Sequence, residues 1–222
     1  ARNRAISATS APLIALLDGD DMIRPDYLAR TCAALEADTQ ARLVTVNARI
    51  FGAVPQERYC FAGAQGKGDG TRGSLADVLD RSFGVYIGST FRRADFDAIG
   101  GFDTGMTHAE DFDLWVRLML LGGHALYVNE VLGDCRVRSA SASASELKML
   151  KGNIRTFEKA LEALPGDSPE ASVARAMIAQ NERDLRFALA IDRIIDGDSS
   201  AVAEMKASAA PDLGRAWAIY FA

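Results

Sequence analysis

Apolar positions along the chain fall into runs and periods that mark out its elements. Pro12 to Leu17 is an uninterrupted apolar run of strand length that stops at Asp18, Gly19, Asp20 and Asp21. Three carboxylates therefore fall at the C-terminal tip of a predicted strand, where open α/β sheets bind ligands. Gly19 permits a tight turn. Pro25 is expected at the first position of a helix over Tyr27 to Ala37, with Leu28, Cys32 and Leu35 at helical spacing. Leu43 to Phe51 alternates, Leu43, Thr45 and Asn47 against Val44, Val46 and Ala48, which predicts a second strand and a βαβ unit. Residues 2–9 read as the last turns of a helix leading into the first strand.

Residues 62–73 are glycine-rich with no large apolar side chain, so they predict a loop that cannot pack. It is either a surface hairpin loop or a lid or acceptor flap carrying Lys67 and Arg72; Gly66-Lys67-Gly68 lacks the spacing of a P-loop. Ser74, with Asp77 three positions on, predicts the start of a short helix with Leu75, Val78 and Leu79 on one side. Val85 to Phe91 predicts a strand, followed by Arg92, Arg93 and a turn through Gly100-Gly101-Phe102-Asp103 whose glycines would let backbone approach a ligand closely.

From Phe112 to Leu121 only Asp113 and Arg117 are not apolar, which predicts a helix buried on most sides with its acids crowded at the N-terminal turn. The macrodipole alone accounts for acids there. Glu110, Asp113 and Arg117 share a stripe, and Asp113 with Arg117 makes an i, i+4 ion pair. Asp111 points about 100° away from Glu110, which leaves Asp113 structural and Asp111 open to chemistry. Gly122-Gly123 is expected to cap the helix. Two short strands, His124 to Val128 and Val131 to Val137, then follow, joined by Asn129-Glu130, with His124 a structural or surface residue.

The Ser-Ala run at 139–145 marks a boundary, so residues 1–143 form one region and 144–222 a helical extension. Leu147, Leu150, Ile154, Phe157, Leu161 and Leu164 form a narrow seam that serves either internal packing or a homo-oligomer. Pro165 to Pro169 breaks it, and a second long helix runs to about Ile195, capped by Gly197, giving a helical hairpin. Leu213, Trp217, Tyr220 and Phe221 share a face of a final short helix, expected to pack on the core or a partner, with at most peripheral membrane contact.

Composition narrows the function. A net charge of −5 and a pI of about 5.1 argue against nucleic-acid binding. Cys32, Cys60 and Cys135 have no paired spacing and are expected as free thiols in a reducing compartment. With no bilayer-length apolar stretch and no signal peptide, a soluble cytoplasmic protein is expected. Asp18, Asp20 and Asp21 repel one another unless a cation sits among them. A hard divalent ion, Mg²⁺ or Mn²⁺, sharing its oxygens with a phosphate ligand is the natural occupant; the alternative is a solvated polar turn.

These motifs carry a likeness. Asn3 with Leu16-Leu17-Asp18-Gly19-Asp20-Asp21 and Pro25, Phe91-Arg92-Arg93, Gly100-Gly101-Phe102-Asp103, Glu110-Asp111 with Leu114-Trp115 and Arg117, Gly122-Gly123 and Cys135 to Ser139 resemble, in order, a family 2 glycosyltransferase of GT-A fold. The resemblance spans residues 1 to about 143. It implies an α/β, Rossmann-like mixed sheet flanked by helices, here followed by an all-helical extension. It also implies a metal-dependent, inverting transfer of sugar from a nucleotide-diphosphate donor, a UDP-sugar, to an acceptor hydroxyl on a glycan or lipid-linked acceptor. By the resemblance Asp20 would coordinate the metal, Asp18 would lie nearer the nucleoside and Asp21 would support the site. Asp111 would be the general base and Glu110 would help position it or the acceptor.

Two departures accompany the likeness. The family's opening strands, which hold the nucleobase, would precede Ala1, so the chain is either a trimmed piece or lacks part of the donor site. Where the family often has a metal-binding histidine, this chain has Arg138, which with Arg136 would hold diphosphate as a charged fork rather than ligate a cation. The competing reading is a non-catalytic relative that binds nucleotide or glycan. Metal-dependent nucleotidyl transfer would want a second acid pair and a glycine-rich phosphate loop, and neither is found.

Overall fold

The computed structural model describes residues 1–61, 68–138 and 146–209. Lys67, the run at 139–145 and the apolar face at Leu213, Trp217, Tyr220 and Phe221 lie outside the described residues. In chain order the elements are α1 (Arg2–Ser7), β1 (Leu13–Ala15), β2 (Met22–Ile23), α2 (Tyr27–Ala37), β3 (Ala41–Gly52), β4 (Arg58–Tyr59) and β5 (Thr71–Gly73). They continue as α3 (Leu75–Leu79), β6 (Thr90–Arg92), α4 (Arg93–Ala98), α5 (Glu110–Met119), β7 (His124–Val137), α6 (Glu146–Ala163), α7 (Pro169–Ile195) and α8 (Ala201–Ser208).

The sheet is mixed, in the order β1-β6-β3-β7-β2, with β4 added to β3 and β5 to β7. Its spine is the parallel pair β3 and β7, and β6 lies antiparallel between β1 and β3. Both faces are covered. Leu43 joins Phe91, Leu114 and Phe157 in one core, and Val44, Val46 and Ala48 join Tyr27, Leu35 and Leu126 in the other. That is why β3 reads as nearly continuous burial rather than an exposed alternation. Its two buried polar residues have partners: Thr45 Oγ1 accepts the Tyr86 amide at 2.9 Å, and Asn47 accepts from and donates to the Phe61 backbone at 3.0 and 2.8 Å.

Several expectations are corrected. The first strand is only Leu13–Ala15, and the connection after it contains β2, paired with Gly133 and Asp134 of β7. Pro25 precedes the α2 cap, Asp26, rather than opening the helix. The buried face of α2 is Tyr27, Thr31 and Leu35, with Leu28 half exposed. Val85 to Ser89 is not strand; it is tucked under the sheet by Tyr27, whose hydroxyl donates to the Gly88 carbonyl at 2.5 Å. The end of the glycine-rich segment is strand β5, and Arg72 there pairs with Asp38 at 2.8 Å, alongside His124 at 2.9 Å.

The α5 cap is Leu120, with Gly122 and Gly123 in left-handed backbone beyond it. His124 to Val137 is one strand: Val128 faces Val46 and Val131 faces Asn47, so Asn129-Glu130 is absorbed as a bulge. Gly100 and Gly101 serve the chain rather than a ligand. Both have φ of +75°, and a Cβ on Gly101 would stand 3.0 Å from Asn3 Oδ1, which accepts the Phe102 amide at 2.9 Å.

The helical hairpin forms as the seam predicts, and α8 is an element the pattern did not reveal. Ser168 caps α7, accepting from the Ala171 amide, with Pro169 at its first turn. The α6 seam is used internally: Phe157, fully buried, lies in the core of α5, its ring edge-on to Phe112 at 5.4 Å. Burying that ring contributes about 2 kcal/mol. Among the described residues no helix is long and apolar enough to cross a membrane.

Candidate functional site

The Asp18 to Asp21 turn hangs from β1, held by the Leu16 amide on Ser89 O at 3.0 Å and closed by the Asp21 amide on Asp18 O at 3.1 Å. Its three carboxylates are used differently. Asp18 pairs with Arg2 at 2.5 Å, and Asp20 pairs with Arg138 at 3.1 Å, each carboxylate about a third exposed (37% and 33%). Asp21 turns inward, accepting the Arg136 amide at 2.8 Å and the Tyr86 hydroxyl at 3.3 Å. Arg136 Nε also donates to the Asp20 carbonyl at 3.2 Å, and its guanidinium lies over the Phe51 ring at 4.6 Å. Asp21 and Arg136 thus lock the turn to β7, while Asp18 and Asp20 face outward.

Burial raises the Asp21 carboxyl, the Arg136 amide opposing it. Burial likewise pushes the nearby Cys135 thiol up to about 12 and the Cys60 thiol up to about 11. Neither thiol is a nucleophile at neutral pH. All three cysteines are free.

The second set of acids opens α5. Ala109, its cap, has left-handed backbone (φ +57°), and the helix begins at once with Glu110 and Asp111. Glu110 binds Arg2 at 2.7 Å, so one guanidinium, lying over the Phe102 ring at 5.4 Å, bridges Asp18 to Glu110 and brings the strand-tip acids to the helix. Asp111 points elsewhere, its Oδ1 accepting the Phe112 amide at 2.7 Å. Burial raises its carboxyl; the amide and the charges of Arg2 and Arg81 lower it, and Glu110 raises it. A raised carboxyl suits a general base better than an ordinary one, because proton transfer is most efficient when the base titrates near the working pH. Asp113, fully buried, is claimed by Arg117 and by Lys159 of α6 at 2.7 and 2.5 Å, the structural role its spacing indicated. An open groove of about 570 Å³ runs beside Glu110 past Arg2, Asn3, Phe102, Thr104 and Thr107.

Among the described residues no three His, Cys, Asp or Glu side chains converge as a metal cage. The donor set still fits a hard divalent ion. Asp18 and Asp20 are outward oxygen donors on one short turn, and such ions take one or two carboxylates and fill the rest of their shell with phosphate and water. Arg2 and Arg138 supply the positive charge at these carboxylates now.

Four residues escaped the sequence pattern. Arg2 adjoins Asn3, which does belong to the motif set, and that adjacency was the available signal. Tyr86, Arg81 and Lys159 gave none, since their partners are distant in sequence.

The family model described as "Glycosyltransferase like family 2" matches residues 1–156. The succinoglycan biosynthesis protein ExoU of Rhizobium meliloti (strain 1021) is 25% identical over 209 residues, covering 88% of this chain and 58% of ExoU. The uncharacterized glycosyltransferase YwdF of Bacillus subtilis (strain 168) is 30% identical over 124 residues, 53% of this chain and 42% of YwdF. The chain therefore spans well under two thirds of the length of these curated relatives. Among solved structures, S. aureus TarS 1-349 in complex with UDP-GlcNAc superposes with a TM-score of 0.64 at 12% identity, covering 93% of this chain and 58% of that one. The mannosyltransferase PcManGT of Pyrobaculum calidifontis in complex with GDP-Man and Mn²⁺ gives 0.56 at 18% identity, covering 99% and 59%. At these identities the structural likeness speaks to the fold.

Proposed function

The chain belongs to glycosyltransferase-like family 2, and from that premise we propose that it moves a sugar from a nucleotide-diphosphate donor, a UDP-sugar, to a hydroxyl of a glycan or lipid-linked acceptor, with inversion at the anomeric carbon. The observation that carries this reading is the Arg2 bridge, which sets the strand-tip acid Asp18 and the helix acid Glu110 on one guanidinium. That bridge supports a reading in which donor-side and acceptor-side chemistry lie close together.

Asp20, assisted by Asp18, would hold a divalent ion, Mn²⁺ or Mg²⁺. Such an ion, when bound, neutralises charge on the departing diphosphate. Arg138 and Arg136 stand at the same turn and offer charged donors to phosphate oxygens. Asp111 takes the proton from the acceptor hydroxyl as its oxygen attacks the anomeric carbon from the face opposite the leaving group. Glu110, anchored by Arg2, fixes the start of α5 and offers an acceptor for a sugar hydroxyl in the groove.

Calorimetric titration with UDP, with and without Mn²⁺, tests the donor half. Tighter binding with Mn²⁺, and loss of that gain in Asp20→Ala, is the expected result. Equal affinity in both conditions would overturn it.

A further inference from the structure

Among the described residues two non-glycine residues have left-handed backbone, Arg81 (φ +62°) and Ala109 (φ +57°). Such conformations are strained for residues that carry a Cβ and persist where the surroundings impose them. Both abut α6 at consecutive positions. Gly152 packs against the backbone that carries Ala109: a Cβ there would stand 2.5 Å from His108 O and 3.1 Å from Ala109 Cβ. Asn153 accepts from the Arg81 guanidinium at 2.8 Å and in turn donates to the buried Asn181 of α7 at 3.3 Å. Arg81 also lies over the Phe112 ring at 4.1 Å, one residue past Asp111. One turn further along α6, Phe157 meets Phe112, and Lys159 reaches Asp103 and Asp113.

We propose that Arg81, fixed by Asn153 of the helical hairpin, is a positioning residue for Asp111, so that α6 is a working part of the acceptor end rather than an appendage. This rests on the assignment of Asp111 as the base. Among the described residues Glu110 on its own helix, Arg2 on α1 and Arg81 on the loop after α3 act on the charge of Asp111. Arg2 is engaged by Asp18 and Glu110. Among the described residues Arg81 has no carboxylate partner within ion-pair distance, and its charge interacts with that of Asp111. It therefore favours the ionised, proton-accepting form, and the Asn153 contact keeps it over Phe112.

The test is a carboxyl-carbon NMR pH titration of the whole chain labelled at aspartate, the Asp111 signal being assigned by its loss in Asp111→Asn. Arg81→Gly removes the side chain while suiting the left-handed backbone, so the loop keeps its conformation. The expected result is a midpoint for Asp111 raised by about half a pH unit or more in Arg81→Gly, partly restored in Arg81→Lys, and raised less but in the same direction in Asn153→Ala. Asp198, paired with Arg193 at the far end of α7, should not move. An unmoved Asp111 in Arg81→Gly would overturn the role of Arg81, and an unmoved Asp111 in Asn153→Ala would overturn that of α6. The titration reads Asp111 whether or not turnover depends on it. Failure of the base assignment shows separately, as sugar transfer that survives Asp111→Asn.

Discussion

The two sets of acids are built on opposite principles. At the strand tip, Asp18 and Asp20 are partly exposed and each is met by an arginine on a long side chain, contacts of a kind worth no more than about 1 kcal/mol. At the mouth of α5, Asp111 and Asp113 are set by a left-handed cap, by neighbouring helices and by an ion pair on a fully buried carboxylate. Cationic partners at the tip are easily exchanged, as the proposed site for a charged diphosphate and its cation would require. Asp111 and Asp113, unlike Glu110, are placed by packing, as the proposed proton acceptor with a fixed line of attack would require.

The sharpest break in that comparison comes from Asp111→Asn. Sugar transfer or donor hydrolysis, followed by release of the nucleoside diphosphate, should fall by about 10²- to 10⁴-fold, with nucleotide affinity little changed. Asp113→Asn is next: it leaves Arg117 and Lys159 facing a neutral amide in the core, and urea unfolding should show a loss of about 3–5 kcal/mol. Gly152→Ala drives a methyl toward the His108 carbonyl and should cost about 1–3 kcal/mol by thermal unfolding, lowering turnover as the cap at Ala109 shifts. Arg138→Ala, on the exposed side, should change stability by less than about 1 kcal/mol.

The pH dependence sets Asp111 apart from Asp103, a carboxylate outside both sets of acids. Asp111 has a folded-state pKa above its unfolded value, chiefly through burial. The native state therefore holds this proton more tightly, and stability falls as pH rises from the ordinary carboxylate range through the raised value. Asp111→Asn should flatten that part of the curve. Asp103, lowered by its hydrogen bond from Lys159, behaves oppositely: its contribution is present above the unfolded pKa and is lost as pH falls through the folded one.

Local signals were legible and long-range ones were not. The Ser74 and Asp77 pair announced the start of a helix, and there the two side chains close a reciprocal capping box. The i, i+4 spacing of Asp113 and Arg117 announced their ion pair. Asn129-Glu130 reads as a turn because two adjacent polar residues interrupt an apolar run, but a parallel neighbour with residues to spare takes them up as a bulge. Val85 to Ser89 has strand composition, yet the Tyr86 amide and the Gly88 carbonyl are taken by the side chains of Thr45 and Tyr27, partners 41 and 61 residues away. The candidate acids could be named from spacing. Their partners, Arg2 to Glu110 across 108 residues and Arg81 to Asn153 across 72, exist only once the chain has folded.

The division of labour between the two sets of acids is tested most directly by measuring UDP affinity in the presence of Mn²⁺ for Asp20→Ala and Asp111→Asn side by side. The expected result is that Asp20→Ala loses about tenfold or more in affinity, the scale on which a lost ligand weakens a metal site, while Asp111→Asn binds UDP as the parent does. Equal losses in the two variants, or none in Asp20→Ala, would contradict it.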